Sequence, residues 1–184
     1  MKKSGKLFGV GVGPGDPELI TVKAVRVIKE ADIIFTAASS KNTYSLAVEI
    51  ASPYISPSAR IEQLGFPMTK ETKEVEAAWI ANARQIAAAM EQGMTAVFLT
   101  LGDPTTYSTF GYILKKMGCI MPEADIETIP GITSFHAASA RLNRILVEGE
   151  ESLLVTSGAY GGDRIRHING VENVAIVKAY KNIQ

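Results

Sequence analysis

The sequence predicts an α/β fold, a parallel-sheet domain followed by a smaller α/β domain, and two observations carry that prediction. Apolar strand segments at 7–12, 32–36, 60–64, 95–101 and 125–129 alternate with helical patterns. Strands separated by helices need crossover connections, and crossovers produce a parallel sheet. Three of the strands also end in Gly/Pro turns: LFGVGVGPGDPELIT at 7–21, LTLGDPTTYS at 99–108 and IPGITS at 129–134. Such turns bring bare backbone to the carboxyl ends of strands, where open α/β sheets bind ligands. The three turns therefore predict one shared small-molecule site.

The first turn follows a strand and is rich in glycine, as are loops that cradle a dinucleotide pyrophosphate. Its spacing differs. Counting from Gly9, Pro14 stands where the third glycine belongs, and counting from Gly11, Asp16 does. An anionic Asp16 suits a helix cap better than a pyrophosphate neighbour, with Pro17 in the first turn and Glu18 at the positive end of the dipole. A helix is accordingly expected from Pro17. Further along, 71–92 is rich in Ala, Glu and Gln and predicts a helix ending at Gly93, while 110–117 predicts one ending at Gly118. The character changes after Pro130. A helix is expected over 133–142, a polar stretch over 143–152, and strands over 153–156 and 173–179. The expected domains are 1–132 and 133–184, and no internal repeat or low-complexity segment is visible.

Composition narrows the function classes. A chain of 184 residues, 46% of them hydrophobic, buries a sizeable core. Its 19 basic and 19 acidic residues balance, which argues against a dedicated nucleic-acid binder. A polyanionic ligand must then meet a local basic cluster. Cys119 is the single cysteine, so neither an intrachain disulfide nor a cysteine zinc framework is expected, as suits a reduced cytoplasmic protein. No apolar run reaches membrane-spanning length, and the Lys-Lys start leads into Gly-rich sequence rather than a signal-type segment. His136 reads as a structural helix residue and His167 lies in a polar segment, so no metal site is expected.

GVGPGDPELIT, the strand-end LGDP and IPGITS resemble the signature turns of the tetrapyrrole methylases, which move a methyl group from S-adenosyl-L-methionine onto a corrin precursor or similar acceptor. Within that family, FPM at 66–68, GDPTTYSTFGYIL at 102–114 and TSFHAASARL at 133–142 resemble the precorrin-2 C20-methyltransferases of cobalamin biosynthesis. The likeness extends from Leu7 to about Ala179. The resemblance implies two α/β domains with the cofactor folded into the cleft between them, a homodimer, and precorrin-2 or cobalt-factor II as acceptor. Family members normally continue for several strands and a helix beyond the position of Gln184, so the second domain is expected to be incomplete.

Methyl transfer from a sulfonium rests on alignment and exclusion of water, so no catalytic side chain is assigned. The backbone of Leu101, Gly102 and Asp103 suits the methionine part, because glycine permits close approach and a carboxylate can pair with an ammonium. By resemblance, Thr133 and Ser134 contact the cofactor from a helix N-terminus, Pro14 lines the cleft and Ala179 lies on the adenosine side. Each has a plainer reading. Asp103 suits a turn, Thr133 and Ser134 suit a cap that one hydroxyl can combine with a ligand contact, and Asp16 is a cap rather than a catalyst. Tyr107 and Ser108 follow the GDP turn and are candidates for the acceptor, although an aromatic there also suits a core.

A polycarboxylate acceptor calls for arginine or lysine. Arg141 and Arg144 lead at near-helical spacing, with Arg164, Arg166 and Lys178 behind them, and solvated surface charge is the competing reading. Three functions remain open: the C20-methyltransferase, a sibling methylase with diphthine or ribosomal RNA as acceptor, and a third of another class, a nucleotide-dependent dehydrogenase or a non-catalytic tetrapyrrole-binding protein. The missing third glycine counts against the dehydrogenase.

Overall fold

The structure, a computed structural model, describes residues 5–38, 45–67, 69, 71–159 and 169–179. It divides into two compact units, Met1–Thr133 and Ser134–Gln184.

The first unit is built on β1 (Lys6–Gly11), β2 (Ile33–Ala38), β3 (Arg60–Gly65), β4 (Thr95–Thr100) and β5 (Asp125–Ile129), all parallel in the order β3-β2-β4-β1-β5. Four α-helices accompany them: α1 (Val22–Lys29), α2 (Leu46–Ala51), α3 (Thr72–Glu91) and α4 (Phe110–Ile120). The central strands read as nearly unbroken apolar runs because both their faces are covered. On one face Leu7, Phe35, Ala96 and Phe98 pack with Ile86 and Met90 of α3 and Phe110, Ile113 and Met117 of α4. On the other, Val10, Ile34, Val97 and Leu99 pack with Ala24, Val27 and Ile28 of α1 and Ala47 and Ile50 of α2. Right-handed crossovers explain the split. The chain moves one way across the sheet from β1 to β2 to β3, and the opposite way from β3 to β4 and from β4 to β5, so the two sets of helices fall on opposite faces. Between β1 and β4 the connections leave in opposite directions, which makes that junction the topological switch point.

Strand positions agree with the sequence to within two residues, and Gly93, at φ +83°, follows the end of α3 as expected. Two helix ends differ. Pro17 opens only a 3₁₀ turn, Pro17–Leu19, with Asp16 accepting from the Glu18 amide at 2.9 Å. Ile20, 8% exposed, then enters the core in an extended conformation, and α1 begins only after Thr21, whose hydroxyl accepts from the Ala24 amide at 3.3 Å. Further along the chain, α4 runs through Gly118 to Ile120 and stops at Met121, whose φ of −141° and ψ of 73° are not helical, ahead of Pro122. A proline excludes helical geometry from the residue before it. The proline, not the glycine, ends this helix. The short helix α2 carries no strong sequence signal and owes its place to Ala47, Ile50 and Ala51, which are buried.

In the second unit, α5 (Ser134–Leu142) precedes β6 (Leu153–Ser157) and β7 (Asn173–Val177), a parallel pair in which Val155 stands opposite Ala175. Glu172 accepts from the Ser152 amide at 2.9 Å and fixes the start of the pair.

Candidate functional site

Main-chain hydrogen bonds close the switch point. Val12 donates to the Thr100 carbonyl at 3.0 Å, continuing the β1–β4 pairing by one bond beyond the strands. The turns then fold back on each other, and Gly13 and Gly102 form an antiparallel bridge with reciprocal bonds of 3.2 and 2.7 Å. Both glycines sit in the left-handed region, at φ +77° and +69°, which residues with a Cβ adopt only under strain. The third turn packs against the first two. A Cβ at Gly11 would stand 2.5 Å from the Gly102 carbonyl oxygen and 2.7 Å from the Gly131 amide nitrogen. Three strand ends meet this closely because three glycines leave the space empty.

The Asp103 carboxylate fastens the second turn to the third. One oxygen accepts from the Thr105 amide at 2.8 Å and from the hydroxyls of Thr105 and Thr106, and the other accepts from the Gly131 amide at 3.1 Å. Burial alone pushes this carboxyl up, but the hydrogen bonds from Thr105, Gly131 and Thr106 together outweigh it and hold the carboxyl below its ordinary value. Downstream, the hydroxyls of Ser108 and Thr100 are 2.8 Å apart, and Ser108 also accepts from the Phe110 amide at the first residue of α4. The connection from β4 to α4 is thus anchored at both ends.

Of the residues singled out in the sequence, Leu101, Gly102, Asp103, Tyr107 and Ser108 share this connection, and Pro14, partly buried, follows the bridged Gly13. Thr133 ends the first unit. Ser134, Arg141, Arg144, Lys178 and Ala179 belong to the second. There Arg141 and Arg144 are both exposed, and the Arg144 amide donates to the Ser139 carbonyl at 3.0 Å, closing the turn after α5. Ala179 is exposed just beyond β7, where a Cβ at Gly158 would come within 3.3 Å of it. Phe66 of the FPM segment is buried edge-on against Phe98, with ring centroids 6.2 Å apart. Met68, Arg164, Arg166 and His167 lie outside the described residues.

Sequence reasoning missed the partners of Asp103. A local signal was available, since Asp followed two residues later by a donor is the pattern of an Asx turn. The Gly131 contact, 28 residues away, had no such signal. Among the described residues no group of three His, Cys, Asp or Glu gathers as a metal site, and no helix is long and apolar enough to cross a membrane.

The edge suits a ligand held by main-chain groups. At Gly102 the position a Cβ would take has, among the described residues beyond its chain neighbours, only the Ile132 carbonyl oxygen within 4 Å, at 3.9 Å, so backbone is open to close approach there.

A protein of Methanocaldococcus jannaschii named "Probable cobalt-precorrin-2 C(20)-methyltransferase" is 39% identical over 97% of this chain and 74% of its own length. The "Cobalt-precorrin-2 C(20)-methyltransferase" of Salmonella typhimurium is 38% identical over 84% of this chain, which spans 64% of that protein. Among solved structures, uroporphyrin-III C-methyltransferase from Thermus thermophilus in complex with S-adenosylhomocysteine superposes with a TM-score of 0.60. That likeness covers 94% of this chain and 65% of the other at 22% identity, and it shows a shared fold. The family model described as "Tetrapyrrole (Corrin/Porphyrin) Methylases" matches residues 6–184, a span that includes every strand of both units and all three glycine turns. The chain therefore belongs to the tetrapyrrole methylase family.

Proposed function

We propose that this chain transfers the methyl group of S-adenosyl-L-methionine to C20 of precorrin-2 or its cobalt-bearing counterpart, a step of cobalamin biosynthesis. The names of the two relatives favour the cobalt-bearing acceptor. The observation that carries the reading is the meeting of Gly11, Gly102 and Gly131 at the switch point, with Asp103 tying the last two turns together. When bound, S-adenosyl-L-methionine supplies an electrophilic methyl on a sulfonium that already contains its leaving group.

The protein's contribution is then position. The backbone of Leu101, Gly102 and Asp103 holds the methionine part, Pro14 borders the donor, and Thr133, Ser134 and Ala179 contribute on the adenosine side. Because hydrogen bonds tie the Gly13, Gly102 and Gly131 turns to one another, little ordering of those turns is required on binding. The meso carbon C20 of a dihydro-tetrapyrrole is enamine-like, so no strong base is required of the chain. Arg141 and Arg144 are assigned to the acceptor's carboxylates, which an arginine fork binds in bidentate fashion. The active form is proposed to be a cytoplasmic homodimer.

The test is incubation with methyl-labelled S-adenosyl-L-methionine and each tetrapyrrole in turn, with label followed by mass. One labelled methyl at C20 of the precorrin-2 skeleton is expected. Label on another acceptor points to a sibling methylase, and tetrapyrrole binding with no transfer points to a binding protein. Calorimetry showing binding of NAD but not of S-adenosylhomocysteine sinks the methylase reading.

A further inference from the structure

The connection between β4 and α4 contains an exposed residue with a strained backbone. Tyr107 lies at φ +50°, a conformation that is uncommon for any residue carrying a Cβ. The residue is 46% exposed. The strain is enforced from both sides. Before it, Asp103 gathers Thr105 and Thr106 and is itself bonded to Gly131. After it, Ser108 is bonded to Thr100 and to the first amide of α4. Tyr107 is the residue between two anchored segments, and its backbone takes the conformation they leave. Non-glycine residues held this way persist only where the surroundings over-determine them, and they concentrate at ligand-contacting loops. Leu101, 47% exposed, stands at the start of the same connection. The connection that carries the open backbone of Gly102 therefore also carries an exposed aromatic residue and an exposed aliphatic one.

We propose that Tyr107 orients the acceptor, its ring serving as the face on which the planar macrocycle rests. The inference builds on the methyl-transfer reading and adds a determinant of which acceptor, and which edge of it, meets the donor. A tetrapyrrole offers a broad π surface suited to offset stacking on an aromatic ring. A ring on an anchored backbone gives up less freedom on binding than one on a loose loop, so it selects an orientation as well as adding contact.

Tyr107→Gly removes the ring and supplies the one residue at ease at this φ. In an absorbance titration with the cobalt-bearing precorrin-2-type tetrapyrrole, this variant is expected to bind about tenfold more weakly, with acceptor KM rising to match. Its Tm should equal or exceed that of the wild type, and calorimetry should give an unchanged affinity for S-adenosylhomocysteine. Tyr107→Phe should recover most of the acceptor affinity, separating the ring from its hydroxyl. Acceptor binding that Tyr107→Gly leaves unaltered overturns the inference. So does a parallel loss of S-adenosylhomocysteine affinity, which identifies Tyr107 as a structural part of the loop. A wild-type protein that binds S-adenosylhomocysteine but no tetrapyrrole overturns it as well. If tetrapyrrole binding depends on Tyr107 and no methyl is transferred, the inference stands and the methyl-transfer reading falls.

Discussion

The two units bury their apolar residues to very different extents. In Met1–Thr133 a five-stranded sheet is covered on both faces, and Phe35, Phe98, Phe110, Ile34 and Ile113 are at most 1% exposed. In Ser134–Gln184 the described sheet has two strands, Ala175 is the buried hydrophobic among the described residues, and α5 buries none. Leu142 and Ile145 stand 69% and 72% open, and Val174 and Ile176 lie on one face of β7 at 39% and 43%. A two-stranded sheet has too little apolar area to order itself strongly in water. The anchored glycine turns accordingly belong to the unit whose core can hold them in place, and positioning chemistry calls for that arrangement.

The largest expected effect contrasts the two cores directly. Phe98 is fully buried, with the rings of Phe66 and Phe110 at 6.2 and 5.7 Å. Phe98→Ala should cost about 3–5 kcal/mol by urea denaturation, whereas Ile176→Ala should cost about 1 kcal/mol or less. Equal losses would break the comparison. Amide exchange should sharpen it, with β1 and β4 opening only globally and β6 and β7 opening at lower free energy.

An intermediate effect separates two glycines. Alanine at Gly131 would place its Cβ 2.9 Å from the Gly11 backbone and against the Gly102 carbonyl. At Gly149, φ +55°, none of the described residues beyond its chain neighbours lies within 4 Å of the added Cβ, and the backbone angle is what resists substitution. Gly131→Ala should cost about 1–3 kcal/mol and also weaken S-adenosylhomocysteine binding. Gly149→Ala should cost about 1 kcal/mol and leave that affinity alone. If calorimetry finds both variants binding normally, the packing of the three turns does not govern the donor site.

The smallest effect is electrostatic. Glu127 on β5 is held at about 2 by the ammonium groups of Lys23 and then Lys6, the latter 2.9 Å away. Glu172 at the start of β7 is also lowered, chiefly by the Ser152 amide. A carboxyl depressed in the folded state adds stability above its ordinary value of 4.5, and that stability is lost as pH falls through the folded value. The advantage of the wild type over Glu127→Gln should therefore be constant near neutrality and fade between about pH 4.5 and 2. Glu127 is partly and Glu172 largely open to solvent, so the amplitude should be small and should shrink further in salt. An advantage that grows in acid would contradict the sign of the shift.

Much of this was legible along the chain because it depends on neighbours. The apolar runs of β1, β2 and β4, the left-handed stop at Gly93 and the Asp16 cap each follow from a few adjacent residues. The motif order alone was enough to suggest the family. Even where the sequence misjudged an end, as at Gly118, the deciding residue was Pro122, a few positions on. What the chain could not announce depends on residues far apart. Strand order put β4 between β2 and β1. That order brought Gly13 to Gly102 and set the Gly131 amide on Asp103. The sequence marked Asp103 as a turn residue with a carboxylate to offer. Folding determined what that carboxylate holds, because a hydrogen bond across 28 residues forms only after the sheet has aligned its two ends.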